Sequence, residues 1–136
     1  MGQQGQADEA VHGRGEVILL VDDDLDLRTM IATMLQSLGY KVLESTTAKN
    51  ALEILQEKPE VDLLLTDVVL SDGASGRALA DRTKEKYPDL PVLFMTGYTE
   101  DAAIRQGSVD GDVQLLQKPF RRSDLARAVH RILGHR

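Results

Sequence analysis

No cysteine occurs anywhere in the 136 residues, so neither a disulfide frame nor a thiolate zinc site is available to hold this chain together. That absence suits the cytoplasm, which is the compartment the sequence predicts. Tryptophan is also missing and aromatic residues reach only 4%, so the core has to be built from aliphatic side chains. Lysine and arginine never gather into a run, and the formal charge is −6, which argues against direct contact with nucleic acid. No apolar stretch approaches the roughly 20 residues that cross a bilayer, and the N-terminus has no basic-then-apolar leader. No membrane contact is expected.

What is present is an ordinary globular mixture, 42% hydrophobic and 28% charged, of a length that suits one domain. Residues 1–15 (MGQQGQADEAVHGRG) are polar, rich in Gly and Gln, and aperiodic, and they read as a flexible tail or linker. The domain itself is expected over 16–136. It opens on EVILLV (16–21), a continuous apolar run of the kind buried on both faces of a parallel sheet. Helical spacing follows over 26–39, with Gly39 as its stop. The alternation then repeats: strand 40–45, helix 47–57, strand 61–67, helix 76–86, strand 91–96, helix 99–107, strand 113–118 and helix 123–134. Asp24 is expected to cap the first helix and Ser123 the last. Five strands alternating with five helices predict an α/β fold, a doubly wound five-stranded parallel sheet covered by helices on both faces.

Right-handed crossovers put every strand's carboxyl end on one edge, where ligands of such sheets bind. Strand 1 ends there in Val21-Asp22-Asp23-Asp24, strand 3 in Thr66-Asp67, strand 4 in Met95-Thr96-Gly97 and strand 5 in Gln117-Lys118-Pro119. Each residue alone has a bland reading, as a loop acid, a turn hydroxyl or a surface lysine. Together, carboxylates sharing one crevice repel unless a cation or a proton joins them. Oxygen ligands with no His or Cys nearby suit Mg²⁺, while Lys118 and Thr96 suit phosphoryl oxygens. A carboxylate between Mg²⁺ and an ammonium is placed to attack phosphorus and become an aspartyl phosphate.

These residues, each closing its own strand in this order, resemble the receiver domain of two-component response regulators over roughly residues 16–134. Within that family, TDVVLSDGASGRALA and LPVLFMTGYTED are most similar to receivers at the C-terminus of hybrid sensor histidine kinases. A stand-alone regulator fits nearly as well. The resemblance implies a flavodoxin-like sheet of strand order 2-1-3-4-5, with Asp67 as phosphoacceptor, Thr96 as switch hydroxyl and Lys118 as the phosphate-facing ammonium. It implies Mg²⁺ held by Asp23, Asp67 and the backbone carbonyl of Val69, with Asp22 acting partly through water, and a cis peptide at Lys118-Pro119. It further implies a sensor histidine kinase or its phosphotransfer domain as donor. A downstream protein would read the face made by the fourth helix (99–107), fifth strand and fifth helix. Such a chain catalyses its own phosphorylation and dephosphorylation rather than turning over a separate substrate.

Three positions depart from the pattern. Ser71 replaces a common proline, Leu115 replaces a common aromatic switch residue, and Val69 stands where relatives often carry a polar side chain. The rival readings are weaker. A degenerate receiver that binds partners without phosphorylation needs a missing acid, threonine or lysine, and none is missing. A haloacid dehalogenase-type phosphatase needs Asp-x-Asp-x-Thr/Val after strand 1 and a further acid pair after strand 4. The chain instead has Asp22-Asp23-Asp24-Leu25-Asp26 and Met95-Thr96-Gly97. A nucleotide-binding flavodoxin relative needs a phosphate-cradling loop where this chain places three acids.

Overall fold

A computed structural model describes residues 13–68, 70, 76–96 and 114–134. Among them the strands are β1 (Val17–Val21), β2 (Lys41–Ser45), β3 (Val61–Asp67), β4 (Val92–Thr96) and β5 (Gln114–Gln117). The helices are α1 (Leu25–Ser37), α2 (Ala48–Glu57), α3 (Gly76–Lys86) and α4 (Arg122–Leu133). The helix expected at 99–107 lies outside the described residues, as do residues 1–12 of the expected tail. Every strand pair is parallel and the order is β2-β1-β3-β4-β5, the flavodoxin-like winding.

The apolar strands are the reason the sheet sits in the middle. Side chains alternate across a strand, so Ile18 and Leu20 of β1 point to one face and Leu19 and Val21 to the other, all four at 0% exposure. The first face packs Leu63, Leu65, Leu93 and Met95 against Ile31 and Leu35 of α1 and Leu125 and Val129 of α4. The second packs Leu64, Val92 and Phe94 against Ala51 and Leu55 of α2 and Leu79 of α3. Each buried leucine of this kind contributes about 1.5–3 kcal/mol. On α1 the inward stripe is narrower than its apolar spacing: Met30 remains 46% exposed and Leu25 62%.

Helix ends follow local chemistry. Asp24 caps α1 as expected, its Oδ1 accepting the Leu27 N–H at 3.1 Å. Gly39 ends that helix at φ +98°, a conformation with no penalty only for glycine, and hands the chain to β2. The expectation of Ser123 as the last N-cap is wrong. Arg121 holds that position, because α4 starts directly after the Lys118-Pro119-Phe120 turn. Asp124 reaches back from the first turn and accepts the Arg121 N–H at 3.0 Å, half of a capping box.

Registers bring the carboxyl ends level: Val21 lies beside Ser45 and Thr66, Asp67 beside Met95, and Thr96 beside Gln117. The residues that follow these strands therefore meet above one edge.

Candidate functional site: a carboxylate trio facing a lysine

Asp22 follows β1 and is fully buried. Its N–H donates to the Ser45 carbonyl at 3.1 Å, and its Oδ1 accepts the Asp24 N–H at 2.9 Å. Asp67, the last residue of β3, is 6% exposed, while Asp23 stands out toward solvent. One carboxylate oxygen from each of Asp22, Asp23 and Asp67 lies within 4.8 Å of the others. The Lys118 ammonium donates to Asp67 Oδ2 at 2.9 Å and lies 3.8 Å from Asp22 Oδ2. Its own N–H donates to the Thr96 carbonyl at 2.6 Å, so the lysine is tied to the end of β4 by backbone as well. The Lys118-Pro119 peptide is cis, as expected.

Thr96 is completely buried, and its Oγ1 finds no hydrogen-bond partner among the described residues. The same holds for Asp22 Oδ2. Buried polar atoms are nearly always satisfied, so two of them at one strand edge mark a place built to receive something. An all-oxygen donor set around such atoms fits a hard divalent cation. Of the residues expected here, Asp22, Asp23, Asp67 and Lys118 come together and Thr96 sits at the adjoining strand end. Val69 lies outside the described residues.

Burial pushes the Asp22 carboxyl above the usual aspartate range, and the neighbouring carboxylates of Asp23 and Asp24 add to the rise. The Asp24 N–H and the Lys118 charge oppose it. A carboxyl raised in the folded state adds stability at low pH and loses it as pH climbs through the raised value. Asp22→Asn is therefore expected to stabilise the metal-free protein at neutral pH by on the order of 1 kcal/mol, chiefly because a charge no longer has to be buried there. That advantage should shrink as pH falls toward the carboxylate range. Urea melts of both proteins between neutrality and mild acid check this, and an advantage that grows on acidification contradicts it.

Sequence reasoning overlooked two contributors. Arg28 of α1 donates from Nη1 to the Asp22 carbonyl at 2.9 Å and from Nε to Glu44 Oε1 at 2.9 Å. A lone arginine on a helix ordinarily reads as a solvated charge, and nothing in its spacing points elsewhere. Gly76, the first residue of α3, lies so close to β3 that a Cβ there would stand 2.0 Å from the Asp67 carbonyl oxygen.

Comparison with known proteins agrees with this geometry. The family model of the response regulator receiver domain matches residues 18–130. The chain is 37% identical to the response regulator receiver protein CpdR of Brucella abortus, over 85% of this chain and 95% of that protein. It is also 37% identical to the sensor kinase CckA of the same organism, again over 85% of this chain but only 12% of that much longer protein. The crystal structure of a response regulator receiver protein from Sinorhizobium medicae superposes with a TM-score of 0.78 at 26% identity, covering 88% of this chain and 95% of that one. The winding of the sheet, the acid trio at its carboxyl edge and the match across 18–130 converge on one conclusion: this chain belongs to the response regulator receiver domain family of two-component systems.

Proposed function

We propose that this receiver takes a phosphoryl group onto Asp67 from the phosphohistidine of a sensor histidine kinase or its phosphotransfer domain. The observation that carries the reading is the Lys118 ammonium, 2.9 Å from Asp67 Oδ2 in an acid trio of which Asp22 and Asp67 are buried. In the transfer, an Asp67 carboxylate oxygen forms the new bond to phosphorus as the phosphorus–nitrogen bond breaks, and the imidazole leaves with the electron pair. Asp22, Asp23, Asp67 and the carbonyl of Val69 would hold Mg²⁺, which when bound neutralises charge on the phosphoryl oxygens. Lys118 supplies the fixed positive charge on the other side, and Thr96 offers a hydroxyl aimed at no other described group.

Once phosphorylated, Asp67 carries a dianion that recruits Thr96 and Lys118 and draws the segment after β4 inward. The face of the fourth predicted helix (99–107), β5 and α4 is where a downstream protein would read the change. The receiver domain spans 16–136 in this reading, with 1–15 as a flexible tail or linker. The compartment is the cytoplasm, consistent with the lack of any membrane-spanning helix among the described residues. The silent, partner-binding alternative gains nothing from the structure, because acids, threonine and lysine are all in place.

Lys118→Ala tests the switch half of this account. It leaves Asp67 able to accept phosphoryl groups but removes the charge that couples the dianion to β5. The amide chemical-shift change at residues 114–117 on phosphorylation should fall to less than about half that of wild type. The variant should also lose about 1–3 kcal/mol of metal-free stability, since two buried carboxylates are left facing each other without their cation. A full wild-type shift response in phosphorylated Lys118→Ala would sink the switch mechanism.

A further inference from the structure

The β1–α1 turn that carries Asp22 is braced by a group outside the acid trio. Its N–H is held by the Ser45 carbonyl, and its C=O is held by Arg28, whose guanidinium is in turn anchored on Glu44. Glu44 and Ser45 are adjacent on the edge strand β2, so one strand end grips the Asp22 backbone from both sides. The Arg28 side chain is only 12% exposed and spans α1 to β2, whereas Glu44 is 41% exposed. Arginine is suited to this because its rigid planar fork donates from two separate nitrogens in fixed directions, whereas the donors of lysine share one rotatable ammonium.

We propose that Arg28, anchored by Glu44, is a positioning residue for the cation site: it fixes the Asp22 backbone so that the buried carboxylate keeps its aim. The inference rests on the reading of Asp22 as a metal-site acid. Groups that orient metal ligands in this indirect way typically govern about 10–100-fold in metal affinity. The sign distinguishes positioning from simple electrostatics. Removing a positive charge near a cation site should by itself tighten Mg²⁺ binding, whereas loosening Asp22 should weaken it.

The decisive variant is Arg28→Met combined with Glu44→Gln, which removes one charge of each sign and keeps the net charge. Calorimetric titration of the full chain with Mg²⁺ is expected to show about tenfold weaker binding in the double variant, with Arg28→Lys in between. Phosphorylation by a small phosphodonor should recover toward the wild-type rate at saturating Mg²⁺. Without metal, amide hydrogen exchange should accelerate at Asp22 and Asp24 but not at the core amides of Leu35 and Leu64. Unchanged Mg²⁺ affinity with unchanged exchange at Asp22 and Asp24 overturns the proposal. So does unchanged affinity with uniformly faster exchange, which marks Arg28 as structural only. If wild type itself fails to take Mg²⁺, the reading of the acid trio fails, and the exchange pattern alone decides whether Arg28 positions Asp22.

Discussion

Asp67→Asn is expected to fold, to keep its contact with Lys118, and to take up no phosphoryl group. The amide oxygen can still accept the hydrogen bond that Lys118 gives to Asp67 Oδ2 at 2.9 Å, so the edge of the sheet loses little. Its removal of one carboxylate from a trio packed within 4.8 Å even relieves repulsion in the metal-free protein. What disappears is the proposed nucleophile. An uncharged amide is a poor attacker at phosphorus, and transfer from a phosphohistidine donor should fall at least about a thousandfold, more than about 4 kcal/mol of barrier. The check is transfer of label from an autophosphorylated histidine kinase, with melting curves run alongside. A labelled Asp67→Asn protein would move the acceptor to another residue.

Gly76→Ala should cost more stability than any other conservative change near the site. A methyl group there would lie 2.0 Å from the Asp67 carbonyl oxygen, 3.0 Å from its carbon and 3.1 Å from Val68 Cα. All three atoms are backbone, so no side-chain rotation can make room. The Gly76 N–H also donates to the Val68 carbonyl at 2.6 Å, which pins the start of α3 to the end of β3. Either the helix or the strand end must move, at about 2–4 kcal/mol. The strand end is the segment that aims Asp67, so phosphoryl uptake should slow as well. Urea unfolding measures the first effect. An alanine variant within about 0.5 kcal/mol of wild type would show that this packing is looser than the geometry indicates.

Much of this was legible from residue order alone. EVILLV and VDLLLTD are too uniformly apolar to face water on either side, which is the signature of strands buried in a parallel sheet, and β1 and β3 are such strands. Strand ends converge by topology, so the meeting of Asp22, Asp23, Asp67 and Lys118 needed no coordinates to foresee. The cap of α4 was less legible, since Ser123 is the better capping side chain. The turn before it set the helix start two residues earlier than the serine could use, and Asp124 instead accepts the N–H of the residue at the cap. Arg28 and Gly76 were invisible for a different reason. One acts through a carbonyl contact across 6 residues and a carboxylate 16 residues away, and the other through the absence of a side chain. Neither leaves a periodic trace.

The central claim is that Asp67 accepts a phosphoryl group in a reaction that depends on the acid trio and its cation. It is tested most directly by intact-mass measurement of the wild-type chain after incubation with acetyl phosphate, with and without Mg²⁺. The account predicts a gain of one phosphoryl group with Mg²⁺, none without it, and localisation of the gain to Asp67. No gain under conditions where Mg²⁺ binding is confirmed, and none from a histidine kinase donor either, would contradict it and leave a receiver that works by binding alone.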